Sequence, residues 1–158
     1  MNERQVSAME FADAAHAGRV KAASDTSRRL AAAIRDFFST PEAATFLDNV
    51  EQADEVLAGE ESRDGRDYRG KPNPSLYVLK EERELAIALV LARQEADKAM
   101  ETDDFQQALH AIAALGPLLA AFLRNARVDA HAPGELRENR LKLLNEIREG
   151  TRAVGAAA

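Results

Sequence analysis

An all-α bundle of five or six helices, with one long polar loop, is the fold this sequence predicts, and three observations predict it. Apolar residues recur every three or four positions through each long segment, as one face of a helix requires. No segment alternates apolar and polar residues with period two, so a sheet has no candidate strands. Helix-start signals, a small polar residue followed by acid or proline, recur between the periodic segments.

The elements follow in order. Val6 to Phe38 is rich in alanine, with Met9, Phe11, Val20, Leu30, Ile34, Phe37 and Phe38 widely spaced. It reads as one long helix or two shorter ones, with a break near Gly18 or a new N-cap within Ser24-Asp25-Thr26-Ser27. Ser39-Thr40-Pro41-Glu42 restarts a helix: Thr40 caps, Pro41 takes the first position and Glu42 meets the positive helix end. Ala43, Phe46, Leu47, Val50, Ala53 and Leu57 then keep helical spacing. Residues 59–74, GEESRDGRDYRGKPNP, carry three glycines, two prolines and nearly balanced charge, and read as a solvated loop.

A strong helix is expected from about Ser75 to Glu101, with Leu79, Leu85, Leu89, Ala92, Ala96 and Met100 on its apolar face. Thr102-Asp103-Asp104 reads as a turn and cap, and Phe105 opens a helix carrying Leu109, Ile112, Leu115, Leu119, Phe122, Leu123 and Ala126. Pro117 kinks that helix or splits it after Leu115. After the connector Val128 to Gly134, the stretch Leu136 to Ile147 puts Leu136, Leu143, Leu144 and Ile147 on one face, with Leu141 at its margin. Arg137 and Arg140, three apart, fall together on another part of the same helix. Residues 150–158 read as a frayed tail with Val154 as their large apolar residue. The whole, residues 1–158, reads as a single helical domain, a size that can bury a core.

Composition excludes several chemistries. The chain has no cysteine, which removes disulfides, zinc–thiolate sites, Fe–S clusters and cysteine nucleophiles, and fits a cytoplasmic protein. The first residues are too charged for a signal peptide, and no uninterrupted apolar run approaches the roughly 20 residues of a membrane helix. A net charge of -6 argues against broad nonspecific nucleic-acid binding, while leaving room for a local basic face. Phosphate-loop, dinucleotide, zinc-protease and nucleophile-elbow motifs are missing. His16, His110 and His131 have no ligand spacing, so no metal, cofactor or catalytic residue is expected. Asp103-Asp104 is explained as a helix cap, and Glu60-Glu61 and Glu81-Glu82 as solvated charge or first-turn acid.

Four motifs in order carry a resemblance. Asn73-Pro74-Ser75-Leu76-Tyr77 resembles the Asn-Pro-x-Leu-Phe entry to the C-terminal region of the bacterial glycyl-tRNA synthetase β subunit. Asp103-Asp104-Phe105-Gln106-Gln107-Ala108-Leu109 is similar to that family's Gly-Asp-Tyr-x-x-Ala-Leu. The run Ala113 to Leu123 is similar to its Ala-x-Leu-Arg-Pro-x-Val-Asp-x-Phe-Phe. Leu136 to Leu144 resembles its Leu-Arg-x-Asn-Arg-Leu-x-Leu-Leu. The resemblance covers about residues 73–148 and departs from the family at Ala120, at Arg124, across Ala126 to Asp129 and beyond Gly150.

That region of the family is a helical anticodon-binding domain of the DALR type. The resemblance therefore implies tRNA recognition, with aminoacylation done by separate synthetase catalytic subunits and no catalysis by this chain itself. The RNA-binding candidates are Arg124, Arg127, Arg137, Asn139, Arg140 and Lys142, because guanidinium groups pair with phosphate and stack on unpaired bases. Such a site predicts one contiguous positive face that includes Arg137 and Arg140. The alternative is a free-standing paralogue serving protein interaction or homo-oligomerisation without RNA, whose mark would be an exposed apolar patch. An independent enzyme would need a pocket of convergent ionisable groups, which no part of the sequence predicts.

Overall fold

The computed structural model of the protein describes residues 24–157, with side chains as far as Arg152. The expectations for Val6, Met9, Phe11, Val20, the Gly18 break and His16 lie outside the described residues, as does the side chain of Val154. Among the described residues there are six α-helical segments and no strand: α1 (helical from 24 to 38), α2 (Pro41–Asp64), α3 (Lys80–Glu101), α4 (Phe105–Ala113), α5 (Gly116–Asn125) and α6 (Gly134–Ala157). A short 3-10 turn, Pro74–Leu76, precedes α3.

Local signals account for most boundaries. The Thr40 hydroxyl accepts the Ala43 N–H at 3.2 Å, with Pro41 in the first turn of α2. Asp104 caps α4 by accepting the Gln107 N–H at 3.1 Å. The break expected near Pro117 falls at Ala114–Leu115, with the proline in the first turn of α5. The stretch Phe105–Asn125 is 21 residues long and, contrary to expectation, apolar enough to cross a membrane by length and composition. The structure divides it into two short helices and buries half of it against the rest of the bundle.

The main contacts link α2 with α5 and α6, and α3 with α4, α5 and α6, so α5 and α6 lie between α2 and α3. Phe46, Leu57, Leu85, Leu115, Leu119, Phe122, Leu141, Leu143, Leu144 and Ile147 fill the centre and are fully buried. Each such side chain contributes about 1.5–3 kcal/mol relative to exposure. Gly116 packs against Phe46 at the contact of α5 with α2, and its carbonyl accepts the Asn49 side-chain amide at 3.2 Å. On α6 the margin is reversed from expectation: Leu141 is fully buried and Leu136 only partly. The reason is that α6 is central and buried around most of its circumference, so no single stripe describes it.

Four further expectations are corrected. Residues 59–64 belong to α2 and not to a solvated loop, because Glu60 and Glu61 are tied to α6. Gly59 inside the helix costs about 1 kcal/mol against alanine, which those pairs offset. The helix instead ends at Gly65, whose φ of 63° is left-handed. Tyr68, within the same expected loop, is buried. The helix expected from Ser75 begins at Lys80, after the Asn73-capped 3-10 turn and an extended Tyr77. Met100 is exposed on α3, and Ala99 takes the inward position.

The expected frayed tail is helical through Ala157, with Thr151 buried and its hydroxyl donating to the Ile147 carbonyl at 2.8 Å. Gly150 does not stop α6. It leaves room for the Arg93 guanidinium, which donates to the Glu146 carbonyl at 3.0 Å.

Candidate nucleic-acid interface

The Leu136-Arg137-Glu138-Asn139-Arg140 stretch sits at one end of the bundle, where the α2–α3 and α5–α6 connectors meet. Arg140 is buried, and its Nε donates to Glu82 Oε1 at 2.5 Å while Nη1 donates to the Arg127 carbonyl at 2.9 Å. The other oxygen of Glu82 accepts the Val78 N–H at 3.1 Å. Glu82, expected as solvated charge, is therefore a buried anion that joins α3, α6 and the connector after α5. Asn139 pairs with both backbone groups of one residue: its Oδ1 accepts the Asn73 N–H at 2.6 Å and its Nδ2 donates to the Asn73 carbonyl at 3.0 Å.

Arg137 has the widest set of partners. Its guanidinium donates to Glu60, to Asp64 at 2.8 Å, to the Tyr68 hydroxyl at 3.3 Å and to the Val128 carbonyl at 2.9 Å. Burial alone would lower its pKa, but the hydrogen bonds from Glu60, Asp64 and Tyr68 outweigh that and raise it. The Tyr68 hydroxyl donates to Asp64 at 2.5 Å. That bond, ahead of Arg137, holds the Asp64 carboxyl below its ordinary range, and burial followed by the same bond pushes the Tyr68 hydroxyl up. Further along α6, Arg148 pairs with Glu61 at 2.6 Å, which lowers the Glu61 pKa.

The expected exposed face is thereby corrected for its three central residues. Arg137, Asn139 and Arg140 turn toward the connectors: Arg137 and Arg140 neutralise the buried Glu60 and Glu82, and Asn139 pairs with the Asn73 backbone. The remaining three candidates face outward to different degrees. Arg124 is exposed in the last turn of α5, Arg127 pairs with Asp129 at 3.3 Å, and Lys142 lies 3.5 Å from Glu138. The arrangement joins Arg127 to Arg140 through the Arg127 backbone carbonyl and not through its side chain.

Cations that sequence reasoning missed lie on the segment it took as electrically balanced. Glu60, Glu61 and Asp64 are drawn toward Arg137 and Arg148, while Arg63, Arg66 and Arg69 keep side chains 58%, 49% and 79% exposed. Lys71 is exposed beyond them. The Arg66 guanidinium covers the Tyr68 ring at 4.5 Å and meets Glu138 at 3.3 Å, the same carboxylate that Lys142 approaches. Balanced charge in the sequence has been sorted by depth. Residues 63–71 and Lys142 thus form adjoining parts of one surface, on which the exposed Asp67 and the half-exposed Glu138 are acids.

Among the described residues no group of three or more acidic or histidine side chains stands close enough to hold a metal ion. His110 pairs with Glu42 at 3.3 Å and His131 lies 3.7 Å from Asp129, each at the surface.

No family model matches the chain. Three curated relatives are glycine-tRNA ligase beta subunits. That of Paracoccus denitrificans is 32% identical over 124 residues, 78% of this chain and 18% of its own length. That of Dinoroseobacter shibae is 35% identical over 118 residues, 75% and 16% respectively. That of Methylobacillus flagellatus is 31% identical over 142 residues, 90% and 19% respectively. The chain therefore spans less than a fifth of the length of these relatives, and over most of its own length it is similar to one region of a synthetase subunit.

Proposed function

We propose that this chain is a tRNA-binding helical module, of the DALR anticodon-binding type, that acts beside separate glycine-specific synthetase catalytic subunits and is not catalytic itself. The observation that carries this reading is the similarity to glycine-tRNA ligase beta subunits over 75–90% of the chain. The sorting of charge at the end of α2 supplies the physical means. Arg63, Arg66, Arg69, Lys71 and Lys142 line the face offered to phosphate, with Arg124 in the last turn of α5 and Arg127 on the connector after it as further cations. Guanidinium groups on such a face pair with phosphate oxygens bidentately, and that of Arg66 already stands over the Tyr68 ring. Arg137, Asn139 and Arg140 act from inside, as positioning residues that fix the cationic segment and draw its acids away from the RNA.

The test is filter binding of a glycine tRNA and of random RNA of equal length, over a series of salt concentrations. Tighter retention of the tRNA is expected. Arg66→Ala/Arg69→Ala/Lys71→Ala should weaken it and reduce the salt slope by about 0.7–0.9 for each phosphate no longer neutralised, with unchanged thermal unfolding. Equal retention of tRNA and random RNA at low salt would sink the proposal.

A further inference from the structure

The face of α3 turned away from the bundle has a pattern that neither packing among the described residues nor RNA binding accounts for. Ile87, Val90 and Leu91 are 61%, 55% and 53% exposed, and together they form an aliphatic patch at the middle of the helix. The patch continues into a groove of about 620 Å³ between α3 and the connector before it, floored by Pro72, Pro74, Tyr77 and Ala86. Along α3 the positions Lys80, Arg83, Ile87, Val90, Gln94, Asp97 and Glu101 repeat at alternate spacings of three and four, all exposed. Glu84, Leu91 and Lys98 flank them at sevenfold spacing, also exposed. The spacing is that of a helix face able to lie lengthwise on another helix, apolar at its middle (Ile87, Val90, Leu91) and charged or polar toward both ends.

The charges identify the second helix. Lys80, Arg83 and Glu84 stand at one end of the seam, and Glu101, Asp97 and Lys98 stand at the other. Among the described residues none of the six takes part in an ion pair. Laid antiparallel on a copy of itself, the helix sets Lys80 opposite Glu101, Arg83 opposite Asp97 and Glu84 opposite Lys98. All three pairings join opposite charges, and the midpoints of all three fall at Val90–Leu91, where the aliphatic patch lies. A two-fold axis through that point repeats each pair, the self-complementarity that an isologous dimer needs. The same reversal brings the exposed Met100 of the second copy to the Tyr77 end of the groove.

We propose that α3 is a homodimerisation surface, pairing antiparallel with α3 of a second copy of this chain about a two-fold axis at Val90–Leu91. Helices of 22 residues would lie side by side for about 33 Å. The inference does not depend on RNA binding, whose proposed face lies at the end of α2 and on α6 and meets this groove at Lys71.

Two charge-reversed variants test it by sedimentation at about 100 µM, well above a micromolar dissociation constant. Wild type should sediment as a dimer. Lys80→Glu/Arg83→Glu alone, and Asp97→Lys/Glu101→Lys alone, should be monomers with unchanged helical circular dichroism. Mixed in equal amounts they should form a heterodimer, because every repulsive pair becomes attractive. The chain lacks cysteine, so Val90→Cys adds a geometric readout: it should oxidise rapidly to a covalent dimer, whereas Gln106→Cys on α4 should not. A monomeric wild type, a mixture that fails to associate, or equal cross-linking at both cysteines would each overturn the proposal. Ile87, Val90 or Leu91 cross-linking to RNA or to another protein in place of a second copy would also overturn it.

Discussion

Replacing Arg140 with methionine leaves the buried Glu82 carboxylate, 1% exposed, with the Val78 N–H as its remaining partner. An uncompensated charge at such a site destabilises by about 3–5 kcal/mol, and Glu82→Leu, which strands the guanidinium, should cost a similar amount. In the double variant no charge is stranded. What remains is that the Val78 N–H and the Arg127 carbonyl go without partners, at about 1–3 kcal/mol each if water does not reach them. Arg127 is exposed and Val78 lies at the surface, so the lower end of that range applies. Urea unfolding followed by circular dichroism should therefore give a double variant about 2 kcal/mol less stable than wild type and more stable than either single one, with a coupling of about 4 kcal/mol or more. Costs that add within about 0.5 kcal/mol would refute the reasoning, since independent sites add in that way.

Other perturbations test the remaining interactions. Asn139→Ala strips the partner from both the N–H and the carbonyl of Asn73 and should cost about 1–2 kcal/mol; hydrogen exchange at the Asn73 amide should accelerate, and unchanged exchange would contradict the assignment. Gly65→Ala places a Cβ on a left-handed residue with open space around it, so a drop of about 1–2 kcal/mol in thermal unfolding is expected from backbone strain alone. The Glu61 carboxyl is held below its ordinary value of 4.5, mainly by Arg148, so its contribution is present above that pH and lost as pH falls below it. Asp64 behaves likewise below 3.8, whereas burial raises Asp54 and makes its protonation mildly favourable to the fold. The urea midpoint should thus fall between pH 5 and 3, and Glu61→Gln should flatten that fall; an unchanged slope would count against the pair.

How much was legible in the sequence divides by distance along the chain. Thr40, Pro41 and Asp104 act on groups within three residues, so the starts of α2 and α4 could be read directly. The inward faces of α2, α4 and α5 could be read as well, because an apolar period marks burial wherever the partner lies. The buried ion pairs could not. Arg137 meets Glu60 across 77 positions, Arg148 meets Glu61 across 87 and Arg140 meets Glu82 across 58. Nothing local separates a guanidinium aimed at a carboxylate in another helix from one aimed at solvent. One signal was present: Arg137, Arg140, Leu144 and Ile147 follow a helical period, and so the two arginines continue the stripe of the core leucines. Gly59 misled for the complementary reason, since its breaking tendency is weaker than the anchoring of Glu60 and Glu61.

The inward-facing guanidiniums also determine how a mutational map of this protein would look. Removing the Arg137 side chain deletes a cation that solvent scarcely sees and releases Glu60 and Asp64 toward the outside. The surface around Arg63 and Arg66 would then turn toward negative although none of its own residues had changed. An alanine scan scored by RNA retention would consequently highlight Arg137 as strongly as a residue that touches the RNA. Only its unfolding curve, lowered where that of an Arg66 or Arg69 variant stays level, would reveal the interior origin of the effect.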